Sequence, residues 1–264
     1  MIIFNRNQCN AITSNIMKKI NYCSGLRNYK PYIKFNLNEL NINTANNGYN
    51  QLLLSYNNLQ IDPYLKTTYP QRLRKYAKYN VTFNKDWMPH NIVIKHDNTN
   101  VYKQNVEDDR NQSRIFKLID TNIVYSDIMM DLICNISNIV KHIEPTVKKL
   151  DVHIHQVRLL TYPDISTSNS PEGLHRDGSD YIVSALVLNK FNVKGGESIV
   201  KDYRKNESYR TILQQNEGLF QEDKELWHYV TPINCEDDNY VGYRDILGFD
   251  IDIIERDSQN YCDN

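Results

Sequence analysis

The spacing of three residues constrains this chain more than anything else in it. His175 and Asp177 sit two positions apart in Pro171-Glu172-Gly173-Leu174-His175-Arg176-Asp177-Gly178. A strand rises roughly 3.3 Å per residue and alternates its side chains, so the pair projects to one side while Arg176 points to the other. A second histidine, His228, follows Asp177 by 51 positions, inside the β-rich run Leu226-Trp227-His228-Tyr229-Val230. A fold that lays these runs side by side presents two imidazoles and one carboxylate to a single point. Such a set on one face holds a divalent metal and leaves other coordination positions open. The plain alternative is a pair of exposed strand residues, because His-x-Asp is common by chance.

Arg244 adds weight to the metal reading. It lies 16 positions beyond His228 in Tyr240-Val241-Gly242-Tyr243-Arg244-Asp245-Ile246-Leu247-Gly248-Phe249-Asp250-Ile251, which reads as a final strand. Apolar neighbours make that strand at least half buried, and a buried guanidinium requires an anion. Its rigid donor fork matches a carboxylate through two parallel hydrogen bonds. Two histidines and a carboxylate with open positions form the facial arrangement of non-haem Fe(II) oxygenases, and a dicarboxylic co-substrate chelating iron at one end would offer Arg244 its far carboxylate. The alternative is a surface ion pair with Asp245 or Asp250.

With these residues in view, the chain resembles the 2-oxoglutarate- and Fe(II)-dependent dioxygenases. Within them it is similar to the L-isoleucine dioxygenase type, which hydroxylates free L-amino acids. The resemblance is carried by His153-Ile154-His155-Gln156-Val157-Arg158, the run from Pro171 to Gly178, Asn192-Val193-Lys194-Gly195-Gly196-Glu197-Ser198, Trp227-His228 and Tyr243-Arg244-Asp245. A weaker match spans Asp62-Pro63-Tyr64-Leu65 and Arg72-Leu73-Arg74-Lys75-Tyr76, so most of residues 60–252 are covered. The resemblance implies iron on His175, Asp177 and His228, which would be the catalytic residues, and the distal carboxylate of 2-oxoglutarate on Arg244. It also implies dioxygen as co-substrate, ascorbate as an in vitro reductant, and succinate and CO2 as products. Asp177 favours hydroxylation over halogenation, since related halogenases lack this carboxylate. Many relatives carry Ser or Thr two residues after the arginine, where this chain has Ile246.

A chain of 264 residues can bury a substantial core and reads as one domain. The expected organisation is an α/β elaboration over 1–149, a jelly-roll catalytic core over 150–254 and a disordered tail over 255–264. The fold class is mainly β with flanking helices, a double-stranded β-helix, because the strands expected at 152–162, 174–188, 196–203, 217–221, 226–233 and 242–253 are joined by polar and Gly-rich turns. One amphipathic helix is predicted from Tyr125 to His142, with Ile128, Met129, Leu132, Ile133, Ile136, Ile139 and Val140 on one stripe and Pro145 closing it. A net charge of −1 without a basic stripe gives no electrostatic case for nucleic acid. The longest apolar run, Tyr181–Leu188, is far shorter than the roughly 20 residues of a membrane span and reads as a buried strand. No membrane partner is expected, the start lacks a secretory pattern, and the expected location is the cytosol. Five scattered cysteines read as free thiols. The sequence leaves the oligomeric state open.

For the substrate, Gln156 and Arg158 share one face of the strand next to the His-x-Asp run and are pocket candidates. Arg158 would take a substrate carboxylate, with a salt bridge to Glu172 or Glu197 as the alternative. Glu172 or Asp180 would take an ammonium group. Tyr102, Gln104 and Asn105 resemble a family segment near substrate, and Thr167–Ser170 is a loop placed to act as a lid. His153 and His155 form a second His pair but lack a carboxylate at ligand spacing. Two other functions compete with a free amino-acid hydroxylase: a protein or peptide hydroxylase on the same fold, and a non-catalytic metal-binding jelly roll.

Overall fold

The computed structural model describes residues 3–6, 16, 18–19, 31–65, 67–83, 92–108 and 110–257. Its largest element is an antiparallel sheet built from β1 (Ile3–Arg6), β2 (Tyr32–Asn36), β3 (Arg72–Phe83), β4 (Ile92–Asp97), β5 (Val147–Thr161), β6 (Tyr181–Phe191), β9 (Glu217–Glu222) and β11 (Gly242–Arg256). The strand order is β1-β4-β3-β5-β11-β6-β9-β2, and Gln60–Ile61 adds a short edge to β3. Facing it is a smaller sheet, in the order β8 (Glu207–Ile212), β7 (Glu197–Lys201), β10 (Trp227–Val230). His175 extends this sheet by a single bridge to His228, with reciprocal backbone hydrogen bonds of 2.9 Å. Two facing antiparallel sheets connected in this way are the expected jelly roll.

Alternation along β5 and β11 decides what each face of the large sheet does. Leu150, Val152 and Ile154 on β5, with Leu247, Phe249 and Ile251 on β11, turn outward and pack against two helices, α1 (Asn47–Ser55) and α2 (Asp127–Ile143). α2 carries the apolar stripe that its sequence predicts. Ser126 caps its first turn by accepting from the Met129 N–H, and Lys141 and His142 lie in its last turn, where the dipole favours cations. Val157, Leu159 and Ile246 turn inward and meet Val200, Leu226 and Ile233, which closes one end of the sandwich. The other end stays open.

Several sequence expectations change in detail. β3 from the first half is paired with β5 from Arg72 opposite Leu159 to Thr82 opposite Lys149, so the region before 150 contributes strands to the central sheet as well as the two helices packed on it. The expected strand 174–188 is interrupted: only His175 bridges, and β6 begins at Tyr181. Gly178 breaks the run at φ +85°, where a side chain would strike the Asn105 carbonyl. Polar, exposed Glu207–Ile212 forms a strand that the sequence did not announce. The final strand continues to Arg256, inside the expected tail, and 258–264 lie outside the described residues. Cys134, read as a free thiol, is disulfide-bonded, whereas Cys235 is a buried free thiol. Among the described residues no helix is long and apolar enough to cross a membrane.

Candidate active site

The open end of the sandwich holds a cavity of about 400 Å³, within the size range of small-molecule sites. Its floor is the inner face of β3, β5 and β11: Arg72 and Arg74, His155 and Val157, then Ile246, Gly248 and Asp250. Its opposite wall carries His175, Asp177 and His228. One donor atom from each of these three lies within 4.8 Å of the others. His175 Nδ1 is 2.7 Å from the Gly173 carbonyl oxygen, which can only accept, so Nδ1 carries the proton and Nε2 keeps its lone pair for the site. That Nε2 is 3.6 Å from Asp177 Oδ1, and His228 Nε2 is 3.3 Å from Asp177 Oδ2. Burial alone would raise the Asp177 carboxyl, but His228, His175 and Arg110 outweigh it and hold the group well below the usual carboxylate range. Burial and the neighbouring His228 lower His175, which favours the neutral imidazole that a metal requires.

A second tier of contacts positions these three. Gln104 donates to Asp177 Oδ1 at 2.9 Å. Asp223 is almost fully buried behind His228, with Oδ1 3.6 Å from Nδ1, and its other oxygen accepts from the Gly178 N–H at 2.7 Å. A carboxylate behind a ligating imidazole fixes ring orientation and raises its basicity. Burial, then the charge of Asp177, pushes the Asp223 carboxyl up to about 7.

Arg244 stands apart from every other arginine of the described structure. It is 3% exposed, and neither of its terminal nitrogens has a hydrogen-bond partner among the described residues. Burial alone pulls its guanidinium down to about 10. The two carboxylates suggested as surface partners are engaged elsewhere: Asp245 by Arg158, and Asp250 by His155 and Tyr102. Arg244 shares the inward face with cavity-lining Ile246 by strand alternation. Gly196, at φ +68°, lies over it; a Cβ there would sit 3.0 Å from Arg244 Nη1.

The substrate candidates fare unevenly. Glu172 lines the cavity, with Oε1 3.1 Å from His175 Nε2. Arg158 and Gln156 point outward, because the cavity lies on the face of their odd-numbered neighbours. Arg158 makes a bidentate pair with Asp245 at 2.6 and 2.8 Å, and Gln156 Nε2 donates to Ser55 at 2.7 Å. Asp180 pairs with Lys224 and accepts from the Ile253 N–H at 2.7 Å, away from the lining. His153 and His155 form no metal pair: His153 Nδ1 is 2.7 Å from the Tyr76 hydroxyl, and His155 lies between Arg74 and Asp250. Glu197 pairs with Arg210 at the sheet edge. Tyr102 and Gln104 do line the cavity, as do Asn169 and Ser170 of the expected lid loop. Sequence reading missed Arg74, Arg110, Arg114, Asp223 and Asp250. A signal existed for Arg74, since Arg72-Leu73-Arg74 puts two cations on one face of a strand. Asp223 sits in a turn whose spacing announces nothing.

A jelly roll with a two-histidine, one-carboxylate cluster opening onto a small cavity, and a buried cation beside it, defines the mononuclear non-haem oxygenase class. The chain belongs to the 2OG-Fe dioxygenase family, whose sequence profile matches residues 54–250. Fe(II) and 2-oxoglutarate are the cofactors of that family, and the residues present fit both: the donor set suits the metal, and Arg244 has no protein anion. Solved structures agree on the fold. A BsmA homologue from Methylobium petroleophilum PM1 superposes with a TM-score of 0.75 at 17% identity, covering 90% of this chain and 92% of its own. IDO from Bacillus thuringiensis gives 0.70 at 20% identity, over 91% of this chain and 100% of that one. TqaL, an Fe(II)/α-ketoglutarate-dependent dioxygenase, gives 0.67 at 17% identity, over 97% and 93%. None of the curated proteins matches the sequence.

Proposed function

We propose that this chain hydroxylates a C–H bond of a free L-amino acid, in the manner of the L-isoleucine dioxygenase type that its motifs resemble. His175, Asp177 and His228 would hold Fe(II), and Arg244 would hold the distal carboxylate of 2-oxoglutarate. Bound there, the iron and its co-substrate supply the oxidising chemistry that no protein side chain can. The chain's own residues bind, orient and exclude water. His175 is kept in the ligating tautomer by Gly173, His228 is backed by Asp223, and Asp177 is steadied by Gln104. Val157, Val183, Val230 and Ile246 supply apolar lining, which keeps a reactive centre dry.

The observation that carries the amino-acid reading is the cavity itself. At about 400 Å³ it suits a co-substrate and a small molecule, and its lining sets guanidinium groups beside carboxylates, as a zwitterion requires. Succinate release and product mass should be measured with Fe(II), ascorbate, 2-oxoglutarate and each free L-amino acid, beside a peptide pool. At least one amino acid should gain one oxygen, about 16 Da. Peptide-linked succinate release, with no product from any free amino acid, would replace this reading with a peptide hydroxylase.

A further inference from the structure

Four arginines line the cavity: Arg72, Arg74, Arg110 and Arg114. They are not equivalent. Arg72 Nε donates to buried Asp62 at 2.7 Å. Arg110 is clamped on Asp108, donating from Nε at 2.9 Å and from Nη2 at 2.7 Å. Arg74 and Arg114 have no comparable carboxylate. The nearest acid to Arg74 is Asp62, 3.9 Å from Nη1 and already taken by Arg72. Arg114 Nη2 donates to the neutral Gln104. The Nε of each is buried and lacks a hydrogen-bond partner among the described residues.

Both guanidinium groups are held in place by aromatic rings. Arg74 lies 4.3 Å from the Phe116 centroid and 5.8 Å from that of Tyr102; Arg114 lies 5.1 Å from Tyr102 and 5.9 Å from Phe116. Two cations fixed against the same pair of rings repel one another, and an anion between them relieves the repulsion. An acidic group stands next door. Arg74 Nη2 lies 2.5 Å from His155 Nδ1, and an arginine can only donate. His155 Nδ1 therefore accepts, its proton sits on Nε2, and Nε2 donates to Asp250 Oδ2 at 3.0 Å. Tyr102 donates to the same oxygen, which leaves Asp250 Oδ1 for a ligand.

We infer that Arg74 and Arg114 form the clamp for the substrate's α-carboxylate and that Asp250, one imidazole away, receives its α-ammonium. The inference rests on the amino-acid reading above and replaces Arg158, which the fold turns outward. It assigns the two carboxylates to separate cations: Arg244, on the strand face it shares with cavity-lining Ile246, takes that of the co-substrate, and the Arg74–Arg114 pair in the lining takes that of the substrate. The hydrogen bonds from Arg114 through Gln104 to Asp177 join this pair to the metal site.

The test is equilibrium binding to the Fe(II)-loaded, 2-oxoglutarate-bound protein without oxygen, measured by calorimetry. The probes are the free L-amino acids, then the best binder's α-carboxamide and its N-acetyl derivative. Arg114→Met should weaken the free amino acid at least about 30-fold, the size of a buried charged contact left unmade, and should scarcely change the weak binding of the carboxamide. Arg114→Lys should restore part of the loss. Asp250→Asn should weaken the free acid and the carboxamide alike while sparing the N-acetyl derivative. Affinity for 2-oxoglutarate should stay within about twofold in every variant, because Arg244 is untouched. Arg74→Met should behave as Arg114→Met does; should it fail to fold, Arg114→Met alone decides. Wild-type affinity for the free acid in Arg114→Met, or equal losses for acid and carboxamide, overturns the clamp while leaving the amino-acid reading standing. If no free amino acid binds the wild-type protein, both readings fall together.

Discussion

The paired strands β5 and β11 carry an arginine on each face, and the two live in opposite circumstances. On the outer face, Arg158 grips Asp245 through two hydrogen bonds, and the carboxylate is 1% exposed. On the inner face, Arg244 is buried more deeply than Arg158, and neither of its terminal nitrogens has a hydrogen-bond partner among the described residues. Both come from strand sequences that look alike. What separates them is the partner: the fold uses Arg158 for itself, and Arg244 is the one left for the ligand proposed above. A buried charge that the chain leaves uncompensated costs stability, so it persists where a bound molecule completes it.

This contrast can be broken most sharply at Arg244. Arg244→Leu should weaken 2-oxoglutarate binding by about 2–5 kcal/mol, while thermal stability without ligands holds or rises because an unpaired buried charge has gone. Calorimetric titration and a melting curve read the two effects separately. A fall in Tm with unchanged 2-oxoglutarate affinity would make Arg244 structural. Arg158→Leu should do the reverse, lowering stability by about 1–3 kcal/mol since Asp245 is left buried without its donors, with 2-oxoglutarate affinity unmoved.

The same logic applied to carboxylates separates Asp245 from Asp223. Asp223→Asn keeps the shape but removes the negative charge behind His228, so metal affinity should fall about 10–100-fold by competition with a chelator. No change would mean that Asp223 serves only the Gly178 turn. The smallest expected effect is at Gly196. Alanine there must tolerate φ +68° and stand 3.0 Å from Arg244 Nη1, so stability should drop by about 1 kcal/mol and 2-oxoglutarate affinity by a few-fold. Loss of stability alone would show that Arg244 is not held by this close approach.

Much of this was legible in the sequence, for identifiable reasons. Period-2 alternation and the 3.6-residue stripe of Ile128, Met129, Leu132 and Ile136 reflect burial directly, so α2 and most of the strands after residue 150 could be read, whereas β1 to β4 of the first half and polar Glu207–Ile212 were not. The His175, Asp177 and His228 set was legible because ligand chemistry restricts residue types. Alternation says which residues share a face but not which face meets the cavity, and so Gln156 and Arg158 were assigned to the wrong side. Partners far apart in sequence, such as Asp223 behind His228 or Arg74 against His155, leave no local mark at all. They exist only once the sandwich has closed.

One site, built from His175, Asp177, His228 and Arg244, is proposed to take Fe(II) and 2-oxoglutarate together. Its most direct test is to titrate 2-oxoglutarate into the oxygen-free protein with and without Fe(II), for the wild type and for Asp177→Ala. The expected result is one 2-oxoglutarate per chain, bound tightly only when Fe(II) is present, with the metal-dependent gain lost in Asp177→Ala. Equal 2-oxoglutarate affinity with and without Fe(II), or an unaltered gain in Asp177→Ala, would contradict it.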